Sequence, residues 1–474
     1  MLLHHKISLR TIAFCLPYKT CFENFSTLIE HGKRIAIIGP NGSGKSTLLQ
    51  IIQGLVEPTQ GRVIIPDDVV FGYVPQIIQE HESLSGGQRL NKALTQALSK
   101  DPNVLCLDEP TNHLDLANRR SFMRMLKAYK GTMIVVTHDV ELLRTRIDEI
   151  WAIEQGKIKI FSGNYHAYLE EQKIALETQQ EQLAALQKEQ KKARGALQKE
   201  QQRAASSKRA NQNENDKNLL GAMRECGDKT AGKNRGKINE LSQQLASDLQ
   251  ALQIAEVITP KFNLKQADLA KNKAIVAISD GSCGYAEPIL GQINLQVSPT
   301  TRIGILGDNG SGKSTLVKAI LGDSAVARAG EWYCPKRQEI GYLDQHYQTL
   351  DPDASVLEII EMAAPSWTLP EIRKHLNNFL FRKNEEVKAK VKTLSGGEKA
   401  RLSLAQIAAQ DPKLVILDEM TNNVDLATRE HIIQVLSAYP GAVVVISHDQ
   451  DFLRRINVTS FYQIKENRLL PVVT

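Results

Sequence analysis

The sequence contains no long apolar run. A membrane-spanning helix needs roughly 18 consecutive apolar residues, whereas the longest apolar runs, 133–137 and 442–447, are of strand length. We therefore expect the membrane domain of a transporter to be absent. Residues 1–16 do not match a secretory signal well, because Arg10 interrupts their apolar stretch. We interpret them as the first strands of a domain.

Cysteines are also few and scattered. The chain has six in 474 residues, and none forms a C-x-x-C pair. Such pairs are typical of zinc sites and redox centres, so neither is expected. This cysteine usage favours a reducing compartment, and we expect a cytoplasmic protein.

The length of the chain fits two domains of about 200 residues and a connector. The formal net charge of +6 is unevenly spread. Residues 181–240 contain 14 Lys and Arg against 8 Asp and Glu, so the basic surplus belongs to the middle of the chain.

The two ends of the chain repeat each other. Four elements recur in the same order: a glycine loop, Leu-Ser-Gly-Gly-Gln/Glu, Leu-Asp-Glu and Thr/Ser-His-Asp. They begin at Gly39, Leu84, Leu107 and Thr137 in the first copy and at Gly307, Leu394, Leu417 and Ser447 in the second. A short apolar run precedes each glycine loop and a helical pattern follows it, which predicts strand, phosphate loop and helix. Further apolar runs alternate with helical stretches, so we predict duplicated α/β domains with parallel sheets.

The segment between the copies predicts a helical hairpin. Residues 165–258 are rich in Gln, Glu, Lys and Ala. Leucines recur there at helical spacing, in the sets Leu169, Leu176, Leu183, Leu197 and Ile238, Leu241, Leu245, Leu249, Leu252. Residues 206–236, rich in Gly and Asn, would form the tip, about 60 Å from the domains at 1.5 Å per residue. The predicted domains are therefore 1–164, 165–258 and 259–474.

The glycine loops match G-x-x-x-x-G-K-S. Glycines let backbone N–H groups wrap phosphates, the lysine reaches the terminal phosphates, and the hydroxyl binds Mg²⁺. One such loop could be an accidental glycine turn, but two in register argue against that interpretation. We predict ATP and Mg²⁺ as cofactors, bound by Gly39, Asn41, Gly42, Gly44, Lys45, Ser46, Thr47, Gly307, Asn309, Gly310, Gly312, Lys313, Ser314 and Thr315.

Acidic residues and histidines end the later apolar runs. An aspartate there can hold the metal shell, the next glutamate can polarise water, and the histidine can assist, although it could equally be a core histidine. Gln76 and Gln345 each lie between the glycine loop and the Leu-Ser-Gly-Gly element of their copy. The side-chain amide there could reach metal or water, or it could simply be part of a loop without such a role. The predicted catalytic residues are Glu109, Glu419, His138 and His448, and the predicted metal ligands are Ser46, Gln76, Asp108, Ser314, Gln345 and Asp418.

The Leu-Ser-Gly-Gly element predicts a second phosphate contact. It opens a helix whose amino terminus can meet a γ-phosphate, with the serine donating its hydroxyl. Ser-Gly-Gly also forms ordinary loops, so alone it is a modest signal. The predicted contacts are Ser85, Gly86, Gly87, Gln88, Ser395, Gly396, Gly397 and Glu398.

Together these elements resemble the ATP-binding-cassette ATPases. The run from Asp108 to Asp115 and the charged helical linker resemble the ABC-F subfamily, whose members act on ribosomes. The resemblance implies two domains clamped head to tail within one functional monomer. The glycine loop of each domain would then meet the Leu-Ser-Gly-Gly element of the other domain, which is called the signature in this family. It also implies an adenine-stacking role for Tyr285, whereas Tyr18 fits only with a one-residue shift.

Two departures bear on the resemblance. Met420 and Asn423 replace the Pro and His of the family motif, which puts the rate of the second site in doubt. Only residues 77–83 separate Gln76 from the first signature, so the first domain lacks most of its helical subdomain. A similar shortening occurs in proteins that resemble the ribosome-protecting antibiotic-resistance group.

The leading functional hypothesis is a ribosome-bound ATPase whose linker tip contacts ribosomal RNA and tRNA. Basic residues near the tip suit RNA phosphates, although a solvated coiled coil would also explain them. One alternative is an energy-coupling subunit of a membrane transporter, which the fused linker and the short subdomain disfavour. Another alternative is a DNA-associated ABC-F protein. The members of that type that we would compare carry an extra helical tail, whereas this sequence ends about 25 residues after His448, so we expect no DNA partner.

Overall fold

The computed structural model describes residues 4–472 except 18, 77–85, 112, 113, 115, 146, 211–273, 345, 346 and 421–423. The chain forms two compact units, Met1–Tyr165 with Val257–Thr474, and His166–Glu256. Both sequence repeats lie in the first unit, and the boundary between their domains stays a prediction.

The first repeat is built on a parallel sheet. Its strands are β1 Ile7–Leu16, β2 Lys19–Ile29, β3 Arg34–Ile38, β4 Gln60–Ile64, β5 Phe71–Val74, β6 Val104–Asp108, β7 Thr132–Val136, β8 Glu149–Glu154 and β9 Lys157–Ser162. Its helices are α1 Lys45–Ile52, α2 Gly86–Leu98, α3 Leu116–Ala128 and α4 Val140–Leu143. The main sheet has the order β5-β6-β7-β3-β8-β9, with only β9 antiparallel to its neighbour. Strands β3, β6 and β7 are buried along their whole length, which explains their continuous apolar runs.

A second, antiparallel sheet covers the first phosphate loop helix. Its order is β2-β1-β4. Phe22 and Phe25 of β2 share one buried core with Leu48 and Leu49 of α1 and with Trp151 of β8. The amino-terminal residues therefore form the first strands of a domain, as predicted.

The second repeat has the same strand order, but its strands form one nine-stranded sheet where those of the first repeat form two sheets. Its strands are β10 Val276–Gly284, β11 Pro288–Val297, β12 Arg302–Leu306, β13 Ala327–Tyr333, β14 Ile340–Leu343, β15 Leu414–Asp418, β16 Ala442–Ile446, β17 Ser460–Lys465 and β18 Arg468–Val472. Their order is β13-β10-β11-β18-β17-β12-β16-β15-β14. Five neighbouring strands of this sheet are parallel, namely β14, β15, β16, β12 and β17. Their counterparts in the first repeat are β5, β6, β7, β3 and β8. The expected mixed α/β fold and its duplication are confirmed.

The second repeat carries additional helices between β14 and its signature. The helices of this repeat, numbered after the linker helix α5, are α6 Lys313–Leu321, α7 Val356–Ala363, α8 Leu369–Asn378, α9 Asn384–Lys388, α10 Gly396–Gln410, α11 Leu426–Ala438 and α12 Gln450–Arg455. Capping boxes at Ser355 and Thr368 start α7 and α8. Ile360, Leu376 and Phe379 join these helices to the core of the repeat. The corresponding place in the first repeat, 77–85, lies outside the described residues.

The helix α5, Tyr165–Ala210, has 46 residues and belongs to the second unit from its second residue onward. The predicted first arm of the linker is thus helical, and Leu169 and Leu176 on it are exposed. The predicted return arm and most of the predicted tip lie outside the described residues. Among the helices that the structure describes, none is long and apolar enough to cross a membrane.

Candidate nucleotide-binding sites

Both glycine loops connect a buried strand to the amino terminus of a helix. Gly44 precedes α1 with φ 92°, and Gly312 precedes α6 with φ 100°, a left-handed conformation that favours glycine. A Cβ on Gly44 would lie 3.0 Å from the Cβ of Cys21. The first N–H groups of each helix have no intrahelical partner, so they can bind an anion.

The two loop lysines are buried and point back over their own loops. Lys45 Nζ donates to the carbonyls of Gly39 and Pro40 at 2.9 and 3.0 Å. Lys313 Nζ donates to those of Gly307 and Asp308 at 2.8 and 2.9 Å. Each ammonium group is therefore held at the centre of its loop, where a phosphate could be bound.

Next to each lysine, a serine hydroxyl bonds to the aspartate that ends the neighbouring strand. Ser46 donates to Asp108, and Ser314 donates to Asp418. Burial raises the pKa of both carboxyl groups, and the serine bonds partly oppose that shift. A hydroxyl and a carboxylate side by side are oxygen ligands of the kind that Mg²⁺ takes.

A glutamate and a histidine face each other at each site. Glu109 Oε1 lies 3.4 Å from His138 Nε2, and Glu419 Oε1 lies 3.9 Å from His448 Nε2. Glu419 Oε1 is also 3.6 Å from Lys313 Nζ. Both glutamates have φ 47°, a strained conformation for a residue with a side chain. The strain sets each carboxylate beside the histidine of the adjacent strand.

Burial dominates the electrostatics of the first pair. It raises the pKa of Glu109 to about 8, although the positive charge of Lys45 opposes the shift. It lowers the pKa of His138 to about 3, and Lys45 lowers it further. Burial thus disfavours the charged form of both side chains, and a raised pKa makes the ionised Glu109 carboxylate a stronger base.

The first site is a cavity of about 580 Å³ that both repeats line. Gly396, at the start of α10 in the second repeat, lies on its wall. The predicted residues that line it from the first repeat are Asn41, Gly42, Gly44, Lys45, Ser46, Thr47, Gln76, Glu109 and His138. The structure thus brings the first phosphate loop and the second signature together.

Several residues at this site were not predicted from the sequence. Asp425 Oδ2 accepts a hydrogen bond from the N–H of Asn41 at 3.3 Å, and Phe14 and Leu16 line the cavity. The available signal for Asp425 was its repeat partner Asp115, which closes the same motif in the first copy. Tyr18, the aromatic residue considered for this site, lies outside the described residues.

Two smaller cavities flank the second glycine loop. One, of about 290 Å³, is lined by Asn309, Gly310, Gly312, Lys313, Ser314, Thr315 and Glu419. The other, of about 400 Å³, joins Gly307 and His448 to Ala117 and Arg120 of α3 in the first repeat. Tyr285 is 47% exposed and is not among the residues lining these two cavities, so its stacking role stays a prediction.

The two signature helices differ in what the structure describes. In the second, Ser395 caps α10 and its hydroxyl donates to Glu398 Oε2 at 2.6 Å, so Glu398 serves the cap. Gly397 lies in the first turn of the same helix. In the first, Gly86, Gly87 and Gln88 begin α2. Ser85, Gln345 and Asn423 lie outside the described residues.

The chemistry of these residues fits a magnesium nucleotide. In the described part of the chain, Glu109 Oε1 and both ring nitrogens of His138, which line the first cavity, are buried without a hydrogen-bond partner, as are Ser43 Oγ and Asp108 Oδ1 of the same repeat. Buried polar atoms are normally paired, so unpaired ones beside a lysine and a helix amino terminus indicate a polar ligand.

Comparison with known proteins identifies the family. A family model described as ABC transporter matches residues 22–74 and 290–422, and a second model with the same description matches 151–231. A model described as AAA domain, putative AbiEii toxin, Type IV TA system, matches 79–144. This chain is a tandem ATP-binding-cassette ATPase of the ABC-F type. The two repeats are its cassettes, and the ABC-F resemblance is confirmed.

Several relatives of this ABC-F chain match most of its length. It is 28% identical to the ribosome protection protein VmlR of Bacillus subtilis, over 95% of this chain and 85% of the relative. It is 33% identical to the probable ATP-binding protein YheS of Haemophilus influenzae, over 83% of this chain and 58% of the relative. It is 29% identical to the ATP-binding protein Uup of Buchnera aphidicola, over 90% and 75%.

Proposed function

We propose that this chain is a cytoplasmic, monomeric, Mg²⁺-dependent ATPase that closes its two cassettes on ATP and acts on the ribosome. The observation that carries the proposal is the first cavity, where Lys45 of one cassette and Gly396 of the other line the same space. A site divided between two cassettes can be completed only when they approach. ATP binding and cassette closure are thereby linked.

We assign each residue of the first site a separate role in ATP hydrolysis. Lys45 and the amides of its loop would hold the terminal phosphates, and Ser46 with Asp108 would hold Mg²⁺. The metal would neutralise charge that develops on the phosphates. Glu109 would orient the attacking water and take its proton, and His138 would hold that carboxylate in place.

The same assignment applies to the second site with altered surroundings. Lys313, Ser314, Asp418, Glu419 and His448 would play the corresponding roles, completed by residues 85–87 of the first signature. Met420 next to Glu419 is 3% exposed, and its apolar side chain packs in the core of the second cassette. We propose that the two sites turn over at different rates for this reason.

Two observations support action on the ribosome. VmlR, which matches 95% of this chain, is named a ribosome protection protein. The basic surplus of residues 181–240 suits contact with the phosphates of ribosomal RNA and tRNA. We propose a role as a translation factor or a ribosome-protecting resistance protein, with the predicted coiled-coil linker as the contacting element.

Sedimentation through a sucrose gradient tests both parts of the proposal. The Glu109→Gln, Glu419→Gln double variant should bind ATP, lose turnover by roughly 10² to 10⁴ and co-sediment with ribosomes when ATP is present. A Lys45→Ala, Lys313→Ala variant is the matched control, since it should bind neither ATP nor ribosomes. Undiminished turnover in the double variant would refute the glutamate assignment. Binding of ATP without co-sedimentation would refute the ribosomal role.

A further inference from the structure

One ion pair crosses between the cassettes away from the nucleotide cavities. Arg144, which ends α4 in the first cassette, places Nη1 2.9 Å from Oδ1 of Asp451 in the second. Asp451 lies in the first turn of α12 and is 12% exposed, whereas the side chain of Arg144 is 52% exposed. The acidic partner is therefore partly buried, and the basic partner reaches it from the surface.

Asp451 belongs to a network that ends at the second ATP site. Arg429 of α11 donates from Nη2 to Asp451 Oδ2 at 3.1 Å and to Asp449 Oδ2 at 2.8 Å. Its side chain is 3% exposed. Asp449 follows His448 directly and caps α12 by accepting from the N–H of Phe452 at 2.9 Å. The loop that holds His448 is thus fixed by Arg429, which shares Asp451 with Arg144.

In the described residues, the ion pairs that hold the equivalent loop of the first cassette lie within that cassette. Arg119 pairs with both Asp139, which follows His138, and Glu141. Glu141 is 62% exposed, whereas Asp451 is only 12% exposed. The two histidine loops therefore differ in how they are held, although their sequences repeat.

The same cluster lies at the root of the linker helix. Tyr165, the first residue of α5, is 3% exposed. Burial and then the negative charge of Glu430 raise its pKa to about 12, and charges of Arg429, Asp451 and Arg144 also act on it. The first residue of α5 therefore lies within electrostatic reach of the cluster.

We propose that Arg144 of the first cassette is a positioning residue for the second ATP site, acting through Asp451, Arg429 and Asp449 on the loop that carries His448. The effect on turnover rests on the proposed function, whereas the effect on the loop does not. Arg144 also lies close enough to Tyr165, the first residue of α5, for its charge to act on the phenol.

Hydrogen exchange and steady-state kinetics on the full chain test this assignment. Arg144→Ala should speed amide exchange in residues 447–453 about two- to fivefold, which corresponds to the worth of a half-exposed ion pair. The same variant should lower kcat for ATP by a similar factor, with a smaller change in KM. Arg144→Lys, which keeps the positive charge, should restore most of both values.

A matched control uses another surface pair of the first cassette. Lys159 pairs with Glu154 at 3.1 Å and is 59% exposed, so Lys159→Ala removes a comparable pair within one cassette. It should leave exchange in 447–453 unchanged. Unchanged exchange in 447–453 for Arg144→Ala would overturn the assignment. Faster exchange with unchanged kcat would overturn the positioning role in catalysis, and a parent chain without ATPase activity would count against the proposed function alone.

Discussion

Replacing Asp425 tests whether the second cassette completes the first ATP site. Its Oδ1 accepts from the N–H of Thr428 at 2.8 Å and caps α11, and its Oδ2 accepts from the N–H of Asn41 at 3.3 Å. Asp425→Ala removes both bonds. Asp425→Asn has one oxygen, which can keep the cap but cannot serve both donors, and it carries no charge.

The two losses have separate magnitudes. A missing N-cap costs about 1 kcal/mol of stability. Leaving the partly buried N–H of Asn41 unpaired costs about 1 to 3 kcal/mol, and the length of this bond favours the lower end. Since about 1 kcal/mol is about a fivefold change in an equilibrium, both variants should raise the KM for ATP about fivefold. Asp425→Ala, which also loses the cap, should lower the free energy of unfolding by about 1 kcal/mol more than Asp425→Asn does.

Thermal unfolding measures the stability, and ATPase rates at a series of ATP concentrations give the KM. Asp353→Asn is a suitable control, because Asp353 is 71% exposed and pairs with Lys392 on the surface of the same cassette. It should change neither quantity. If Asp425→Ala loses stability while both Asp425 variants keep the parental KM, then the contact with Asn41 does not help to form the site.

Three further predictions follow from the same sites. Glu109→Gln should reduce turnover more than Glu419→Gln in ATPase assays, because Met420 alters the surroundings of Glu419; the reverse order would contradict the proposed inequality. The raised pKa of Glu109 means that the folded protein keeps a proton that the unfolded chain releases near the ordinary glutamate pKa of 4.5, so stability is lost as the pH rises from there through about 8. Glu109→Gln should flatten this loss in thermal unfolding without nucleotide, and an unchanged pH dependence would contradict the burial argument. Serine at five basic linker positions should weaken ribosome binding and reduce its salt slope by about 0.7 to 0.9 per lost phosphate contact, while basal ATPase stays unchanged; an unaltered slope with falling ATPase would make the linker a structural strut. The positions are Lys208, Arg209, Lys229, Lys233 and Arg235.

The parallel sheets and phosphate loops were predictable because their physical signals are local. Strands buried on both sides, such as β3 and β15, must be apolar throughout. A loop that wraps phosphate with its backbone requires glycine at positions such as Gly44, where a Cβ would meet Cys21. The helical start of the linker was equally readable from the spacing of its leucines.

Contacts between the cassettes could not be read from the sequence. Asn41 and Asp425 lie 384 residues apart, and their contact depends on how two folded bodies meet. The same holds for Arg144 and Asp451. The left-handed backbone of Glu109 was also hidden, because glutamate has no preference for that conformation. Surrounding structure imposes it, in part through the bond from its N–H to the carbonyl of Val136 at 2.9 Å.

The shared first cavity determines the effective concentration of the surface that completes the site. Lys45 and Gly396 belong to one polypeptide, so the partner surface that completes the site is always present at an effective concentration on the order of millimolar. Two separate cassettes would have to find each other at the far lower concentration of a cellular protein. Closure is therefore a unimolecular event, and the ATPase rate per chain should not depend on dilution.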